Sequence, residues 1–163
     1  MSDTDELLKA NAKFSESFDK GDLPMPPARP VVVVACMDAR LHPEKFLGLE
    51  LGDAHVIRNA GGRADESALR SLIISQRLLG TREVLVIHHT DCGMLTFSND
   101  DLRGKLQTEG LDASNIDFLP FSNLEQSVRD DVRTIKGSPL IPEDVSVRGF
   151  VYDVKTGALQ EIA

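Results

Sequence analysis

Two short segments of this 163-residue chain carry the side chains best suited to binding a metal ion. The first holds Cys36, Asp38 and Arg40, and the second holds His89 and Cys92. Two thiols and one imidazole form a soft-to-borderline donor set, which favours Zn²⁺ in tetrahedral geometry. Three protein ligands leave one position on the metal open, which is typical of catalytic zinc. We therefore predict one zinc ion per chain on Cys36, His89 and Cys92.

The second segment contains two neighbouring histidines, and either one has a spacing that zinc sites use. His89 lies three residues before Cys92, which suits the turn where a strand leads into a helix. His88 lies four residues before Cys92, and short zinc motifs permit that spacing too. Because His88 follows a run of apolar residues, we expect it to complete a strand and be buried there. We favour His89 as the ligand and keep His88 as the alternative.

The other two reactive side chains, Asp38 and Arg40, are two residues apart and close enough for a bidentate carboxylate–guanidinium pair. Such a pair is usually only an ion pair, and a single cysteine at a strand end is usually a small apolar residue. Here the ion pair and the cysteine occur together, since Asp38 also lies two residues from Cys36, and this favours a functional site over either ordinary interpretation. We expect its carboxylate to reach the metal itself or a water on the metal.

The strands that must bring these segments together are visible as apolar runs. Residues 31–35 and 83–88 are almost wholly apolar, as strands buried on both faces of a parallel sheet are. Residues 54–57 predict a shorter strand, and the spacing of apolar residues over 65–79 predicts a helix. Because parallel strands end at the same edge of a sheet, function collects there. The two segments should therefore face each other across a crevice.

The rest of the chain completes an α/β pattern. Residues 1–22 form an N-terminal arm with a helix over 3–20, and residues 23–30 are a proline-rich connector. Ser122 and Glu125 resemble a capping box, which predicts a helix from there to residue 136 with Gly137 as its cap. The last elements are a strand over 145–154 and a hairpin partner over 158–162. We predict a single domain over residues 1–163, three-layered, with a mainly parallel central sheet and the C-terminal strand at its edge.

Composition narrows the class of partners. Eighteen basic and twenty-six acidic residues give a net charge of −8, so the chain repels phosphate backbones and nucleic acid is not expected. No apolar run approaches the roughly 18 residues that a membrane span needs. The N-terminal residues are acidic and contain no apolar signal core. We expect a cytoplasmic protein that binds neither nucleic acid nor membrane.

The order and spacing of these residues resemble a known family. The residues that carry the resemblance are Cys36-x-Asp38-x-Arg40, then Arg58-Asn59-Ala60-Gly61, then His89-x-x-Cys92-Gly93. This pattern is similar to that of the β-class carbonic anhydrases, in particular their small bacterial members. The resemblance implies zinc on the two cysteines and the histidine, with Asp38 and Arg40 as the catalytic dyad. It also implies reversible hydration of carbon dioxide to bicarbonate and a proton by zinc-bound hydroxide, in a homodimer or larger homo-oligomer whose N-terminal helix lies across the partner.

The motif leaves two other functions open. Related zinc enzymes that hydrolyse carbon disulfide or carbonyl sulfide look the same at these residues, so the ligands do not discriminate between substrates. The resemblance also implies a closed state in which Asp38 leaves Arg40 and becomes a fourth ligand of the metal. A chain locked in that state would be a zinc-binding module without catalytic activity.

Overall fold

A five-stranded sheet forms the centre of the computed structural model, which describes residues 2–163. Its strands are β1 (Val31–Cys36), β2 (His55–Asn59), β3 (Glu83–His89), β4 (Ser146–Tyr152) and β5 (Leu159–Glu161). Their order across the sheet is β2-β1-β3-β4-β5; the first four are parallel, and β5 is antiparallel to β4 at the edge. The predicted mainly parallel sheet with a C-terminal edge strand is confirmed. Met1, the first residue of the predicted arm, lies outside the described residues.

The two central strands are buried because they lie between other strands and are covered on both faces. Residues 32–36 of β1 are all buried, and β1 pairs in parallel with β3 so that Ala35 lies opposite Ile87. The last residue of β1, Cys36, pairs with Asn59 of β2. This register brings the carboxyl ends of β1 and β3 to the same edge of the sheet, as the apolar runs predict.

The helices are α1 (Asp3–Glu16), α2 (Pro43–Phe46), α3 (Glu66–Arg77), α4 (Asn99–Thr108) and α5 (Leu124–Lys136), and some of them cover the sheet. Leu72 of α3 and Ile135 of α5 pack in one core cluster with Val32, Val34 and Val86 of the sheet. Phe46 of α2 and the residues after it pack on the opposite face, against Val33, Ala35 and Ile87. The sheet is therefore covered on both faces, which is the expected three-layer arrangement.

Two predicted helix boundaries are wrong. The predicted capping box at Ser122 does not form, because α5 is capped by Asn123, whose side chain accepts a hydrogen bond from the Gln126 amide. The N-terminal helix ends at Glu16 rather than at residue 20, and every residue of α1 is exposed in the single chain. Within residues 2–163, no helix combines the length and the apolar character that crossing a membrane requires.

Candidate metal centre

Three donor side chains meet at the carboxyl ends of β1 and β3. Cys36 is the last residue of β1, His89 is the last residue of β3, and Cys92 follows three residues later. The two sulfur atoms and a ring nitrogen of His89 all lie within 4.8 Å of one another, and all three side chains are buried. Within residues 2–163, no other such group of metal-binding side chains forms. The structure thus brings together the three residues that the sequence predicts as ligands.

The orientation of His89 leaves one of its nitrogens available to a metal. Its Nδ1 lies 2.8 Å from the carbonyl oxygen of Thr90, which can only accept a hydrogen bond, so Nδ1 carries the proton. Its Nε2 is buried and has no hydrogen-bond partner among the described residues. A buried polar atom without a partner costs free energy. A metal ion on the lone pair of Nε2 removes that cost, so the histidine fits zinc.

His88, the alternative ligand, has both ring nitrogens engaged elsewhere. Its Nδ1 lies 2.7 Å from the hydroxyl of Ser127. Its Nε2 faces two acceptors, the carbonyl oxygen of Gly62 at 3.2 Å and the carboxylate of Asp131 at 3.0 Å. Neither nitrogen is therefore free to bind a metal, and the geometry supports His89.

The two cysteines have opposite pKa shifts. The hydrogen bond from Cys92, helped by the nearby His89 imidazole, lowers the pKa of the Cys36 thiol to about 4 against the opposing effect of burial. The same contact with Cys36, together with burial, raises the pKa of Cys92. Burial lowers the pKa of His89, but the nearby Cys36 sulfur and the bond to Thr90 outweigh burial and raise it overall. The pair thus carries negative charge in a buried place, which suits a divalent cation that displaces the remaining thiol proton.

Asp38 lies at the edge of the donor group and is held there by Arg40. The guanidinium donates to both carboxylate oxygens of Asp38, at 3.0 Å and 2.8 Å, and the Arg40 backbone amide donates a third hydrogen bond at 2.8 Å. These bonds hold the pKa of Asp38 well below its usual range and raise the pKa of Arg40. One Asp38 oxygen lies 3.7 Å from Nε2 of His89. The carboxylate is therefore ionised and next to the atom that would hold the metal.

Asp91 is a contact that sequence reasoning missed. Its carboxylate accepts a hydrogen bond from Nη1 of Arg40 at 2.7 Å, and its carbonyl oxygen accepts one from Nη2 at 2.9 Å. Its φ of +54° places it in the left-handed region, which aspartate tolerates better than most residues. The signal in the sequence was its position between His89 and Cys92. Arg40 is thus anchored from both segments at once.

The walls of the centre are apolar. Cys36 and Cys92 belong to one cluster of buried and partly buried side chains, whose other members are Leu41, Met94, Phe46, Leu95, Phe97, Phe121, Tyr152 and Val154. Arg58 does not point a charge into this wall; it donates to the backbone oxygens of Cys36 and Asp38 at 3.0 Å and 2.7 Å. The surroundings therefore suit a small apolar substrate, with polar groups confined to the dyad and the donors.

Comparisons with known proteins agree with this geometry. The sequence profile of the carbonic anhydrase family matches residues 31–159. β-carbonic anhydrase 1 of Mycobacterium tuberculosis is 46% identical over 162 residues, which cover 99% of both chains. The crystal structure of a carbonic anhydrase from Streptococcus mutans superposes with a TM-score of 0.95 at 48% identity, covering 100% of this chain and 99% of that one. A carbon disulfide hydrolase of Saccharolobus solfataricus is 32% identical over 96% of this chain and 87% of its own length.

Proposed function

Since this chain belongs to the β-carbonic anhydrase family, we propose that its Cys36, His89 and Cys92 hold the one zinc ion with which it hydrates carbon dioxide reversibly to bicarbonate and a proton. The observation that carries the ligand assignment is the buried, unpartnered Nε2 of His89 within 4.8 Å of two cysteine sulfurs. Zinc held there supplies a Lewis acid that lowers the pKa of water at its open position.

The chain's own residues supply orientation and exclude bulk water. Asp38 stays ionised because Arg40 holds both of its oxygens, so it acts as a fixed hydrogen-bond acceptor at the edge of the donor group. From that place it would orient the attacking water by accepting a hydrogen bond from it. Arg40 is a positioning residue, since it acts through Asp38 and is itself anchored by Asp91. The apolar wall around Cys36 and Cys92 admits an apolar molecule such as carbon dioxide.

The same contacts favour the open form of the site over the closed module. To become a fourth ligand, Asp38 would have to give up three hydrogen bonds from Arg40. Charge-assisted bonds of this bidentate kind are stronger than neutral ones. We therefore propose that Asp38 remains with Arg40 and leaves the fourth position to solvent. Carbon dioxide is favoured over carbon disulfide because the carbon disulfide hydrolase shares 32% of its residues with this chain, against 46% for the carbonic anhydrase.

We further propose that the protein is a cytoplasmic homodimer. Support for the dimer comes from α1, which exposes Leu7 and Phe14 in the single chain and needs a surface to cover them. Support for a reducing compartment comes from the two cysteines, which are free and buried rather than joined in a disulfide.

Metal analysis combined with a hydration assay tests the proposed function. Freshly purified protein should contain about one zinc per chain, and stopped-flow measurement at pH 8.5 should show carbon dioxide hydration that a strong chelator abolishes and added zinc restores. Cobalt substitution should give an absorption band from thiolate-to-metal charge transfer, which reports the two sulfurs independently of activity. A protein that binds one zinc but hydrates no carbon dioxide would instead favour the closed module.

A further inference from the structure

A buried polar network lies directly behind the metal centre and includes none of its three donors. Its members are His88 at the end of β3, Ser127 and Asp131 on α5, and Arg63, which follows the short 3₁₀ turn Ala60–Gly62. The side chains of His88 and Asp131 are 0% and 4% exposed. Because buried polar groups are costly unless they are paired, their partners show what the network holds in place.

The carboxylate of Asp131 joins the network. One of its oxygens lies 3.0 Å from Nε2 of His88 and accepts from Nε of Arg63 at 2.8 Å. The other oxygen accepts from Nη2 of Arg63 at 3.1 Å. Ser127 completes the network at Nδ1 of His88. These contacts tie α5 to the end of β3 and to the segment after β2.

On one side the network holds the glycine turn. Nε2 of His88 lies 3.2 Å from the carbonyl oxygen of Gly62. Gly62 has a φ of +66°, and a Cβ at this position would lie 2.9 Å from the backbone nitrogen of Cys36 and 3.0 Å from backbone atoms of Ala35 and Ile87. The turn is therefore packed against the ends of β1 and β3, in contact with the backbone of the first metal donor.

The neighbouring glycine contacts the apolar wall of the centre. A Cβ at Gly61 would lie 2.9 Å from Cγ of Met94, which packs in the same cluster as Cys36 and Cys92. A small movement of this turn would therefore press on the apolar wall beside the two cysteines.

On its other side the network holds the loop that borders the centre. The side chain of Asn59 makes two hydrogen bonds of 2.8 Å with the backbone of Arg63, which fixes that residue after the turn. Nη1 of Arg63 donates to the carbonyl oxygen of Leu119 at 2.7 Å, and the guanidinium lies 5.4 Å from the ring centre of Phe121. Phe121 belongs to the apolar wall of the centre.

We propose that His88, Asp131 and Arg63 are positioning residues, which hold the Gly61–Gly62 turn against Cys36 and so arrange the donor set before the metal binds. The proposal rests on the proposed metal site and deepens it. Donors that are already ordered bind more tightly, because binding does not then have to restrict their motion. Groups that orient metal ligands typically change metal affinity by about 10- to 100-fold.

Two substitutions of His88 separate the contact with the turn from the rest of the side chain. The amide nitrogen of a glutamine reaches the place of Nε2 and keeps a donor for the Gly62 carbonyl, whereas asparagine reaches only the place of Nδ1. In a chelator competition, we expect zinc affinity to fall about tenfold or more in His88→Asn and to be largely restored in His88→Gln. The cobalt-substituted His88→Asn protein should also show a shifted thiolate charge-transfer band.

Leu72→Ala is the control for a general loss of stability. Leu72 is fully buried on α3 in the main core cluster and is not part of the network. The Leu72→Ala protein should unfold at a lower temperature while keeping the parent's zinc affinity and cobalt spectrum. Should His88→Asn fail to fold, Arg63→Lys takes its place, because lysine keeps the charge but loses the bidentate contact.

The outcomes separate this inference from the proposed function. The inference is overturned if the parent binds one zinc and His88→Asn or Arg63→Lys binds it equally tightly with an unchanged cobalt spectrum. It is also overturned if Leu72→Ala weakens zinc binding as much as they do. A parent protein that binds no zinc would instead contradict the proposed metal site itself.

Discussion

Among single side chains, His89 is the one whose role as a metal ligand is best defined, because its two ring nitrogens have different environments. Nδ1 is tied to the Thr90 carbonyl, while Nε2 faces the sulfurs with no other partner. We expect His89→Ala to lose its zinc on dialysis, since two thiols alone hold the ion weakly, with the metal content measured by atomic absorption. His55→Ala is the control, because His55 bonds to Ser75 away from the centre. Retention of one zinc per chain by His89→Ala would contradict the assignment.

Asp38 should affect turnover rather than metal content. Asp38→Asn keeps the shape of the side chain but removes the charge that orients water, so we expect kcat to fall about 100-fold or more while zinc stays at one per chain. Because Arg40 holds the pKa of Asp38 below its usual range, the carboxylate is already ionised throughout the neutral range. Stopped-flow profiles from pH 6.5 to 9 should therefore have the same shape in both proteins and differ in height. A variant as fast as the parent would exclude the orienting role.

The same side chains show what the sequence can and cannot predict. Cys36, His89 and Cys92 could be found because each follows an apolar run that ends at the same edge of a parallel sheet. Asp91 could not be assigned to Arg40, since the two lie 51 positions apart and their contact depends on a left-handed turn. What distinguishes the two adjacent histidines is that His88 has hydrogen-bond partners on α5 and on the glycine turn. Residue spacing does not reveal those partners.

Among secondary-structure elements, the sequence predicts the buried strands better than the ends of the helices. Strand positions follow from the burial of apolar side chains in the sheet, so the apolar runs predict β1 and β3 to within a residue. The predicted start of α5 is wrong because two neighbouring residues, Ser122 and Asn123, both have side-chain oxygens that can cap a helix. Only local geometry decides which oxygen reaches a backbone amide. Helix ends are therefore less predictable than strands buried in the sheet.

The glycine turn after β2 gives a prediction about close packing. Gly62→Ala combines a left-handed backbone with a clash against backbone atoms at 2.9–3.0 Å, whereas Gly80→Ala has the same backbone conformation with open space around it. We expect Gly80→Ala to lower the free energy of unfolding by about 1 kcal/mol and Gly62→Ala by about 3 kcal/mol or more. Urea denaturation measures both. Equal losses would show that the turn is not pressed against β1.

The ion pair between α5 and the segment after β2 should make stability depend on pH in the acid range. Burial raises the pKa of Asp131, but hydrogen bonds from His88 and Arg63 outweigh it and lower the pKa below the ordinary value of 3.8. The pair thus stabilises the fold fully above about pH 4, and this contribution is lost as the pH falls further. Asp131→Asn should cost about 3 kcal/mol at pH 7, because it leaves Arg63 buried without a counter-charge.

Urea denaturation at a series of pH values checks this sign. The difference in free energy of unfolding between the parent and Asp131→Asn should be largest at neutral pH and shrink below pH 4. Asp130→Asn is the matched control. Asp130 is the next residue on the same helix, but its carboxylate is half-exposed and pairs with Arg133 at the surface. A gap that stayed constant with pH would mean that Asp131 acts through packing alone.

An apolar face of α1 is uncovered in the single chain, and that face predicts where two copies of the protein meet. Leu7 and Phe14 are 70% and 59% exposed on one side of α1, and Phe18 beyond its end contacts Phe14 with 5.4 Å between ring centres. Successive residues of a helix turn by about 100°, so Ala12 lies on the other side.

We expect the parent to have twice the mass of one 17.8 kDa chain in light scattering after size exclusion. Leu7→Glu and Phe14→Glu should shift it to the mass of one chain, because a charge cannot be buried there without a partner. Ala12→Glu adds the same charge on the opposite side and should leave the dimer intact. A parent that runs as a single chain, or charged variants that stay paired, would show that this face of the arm is not where two copies meet.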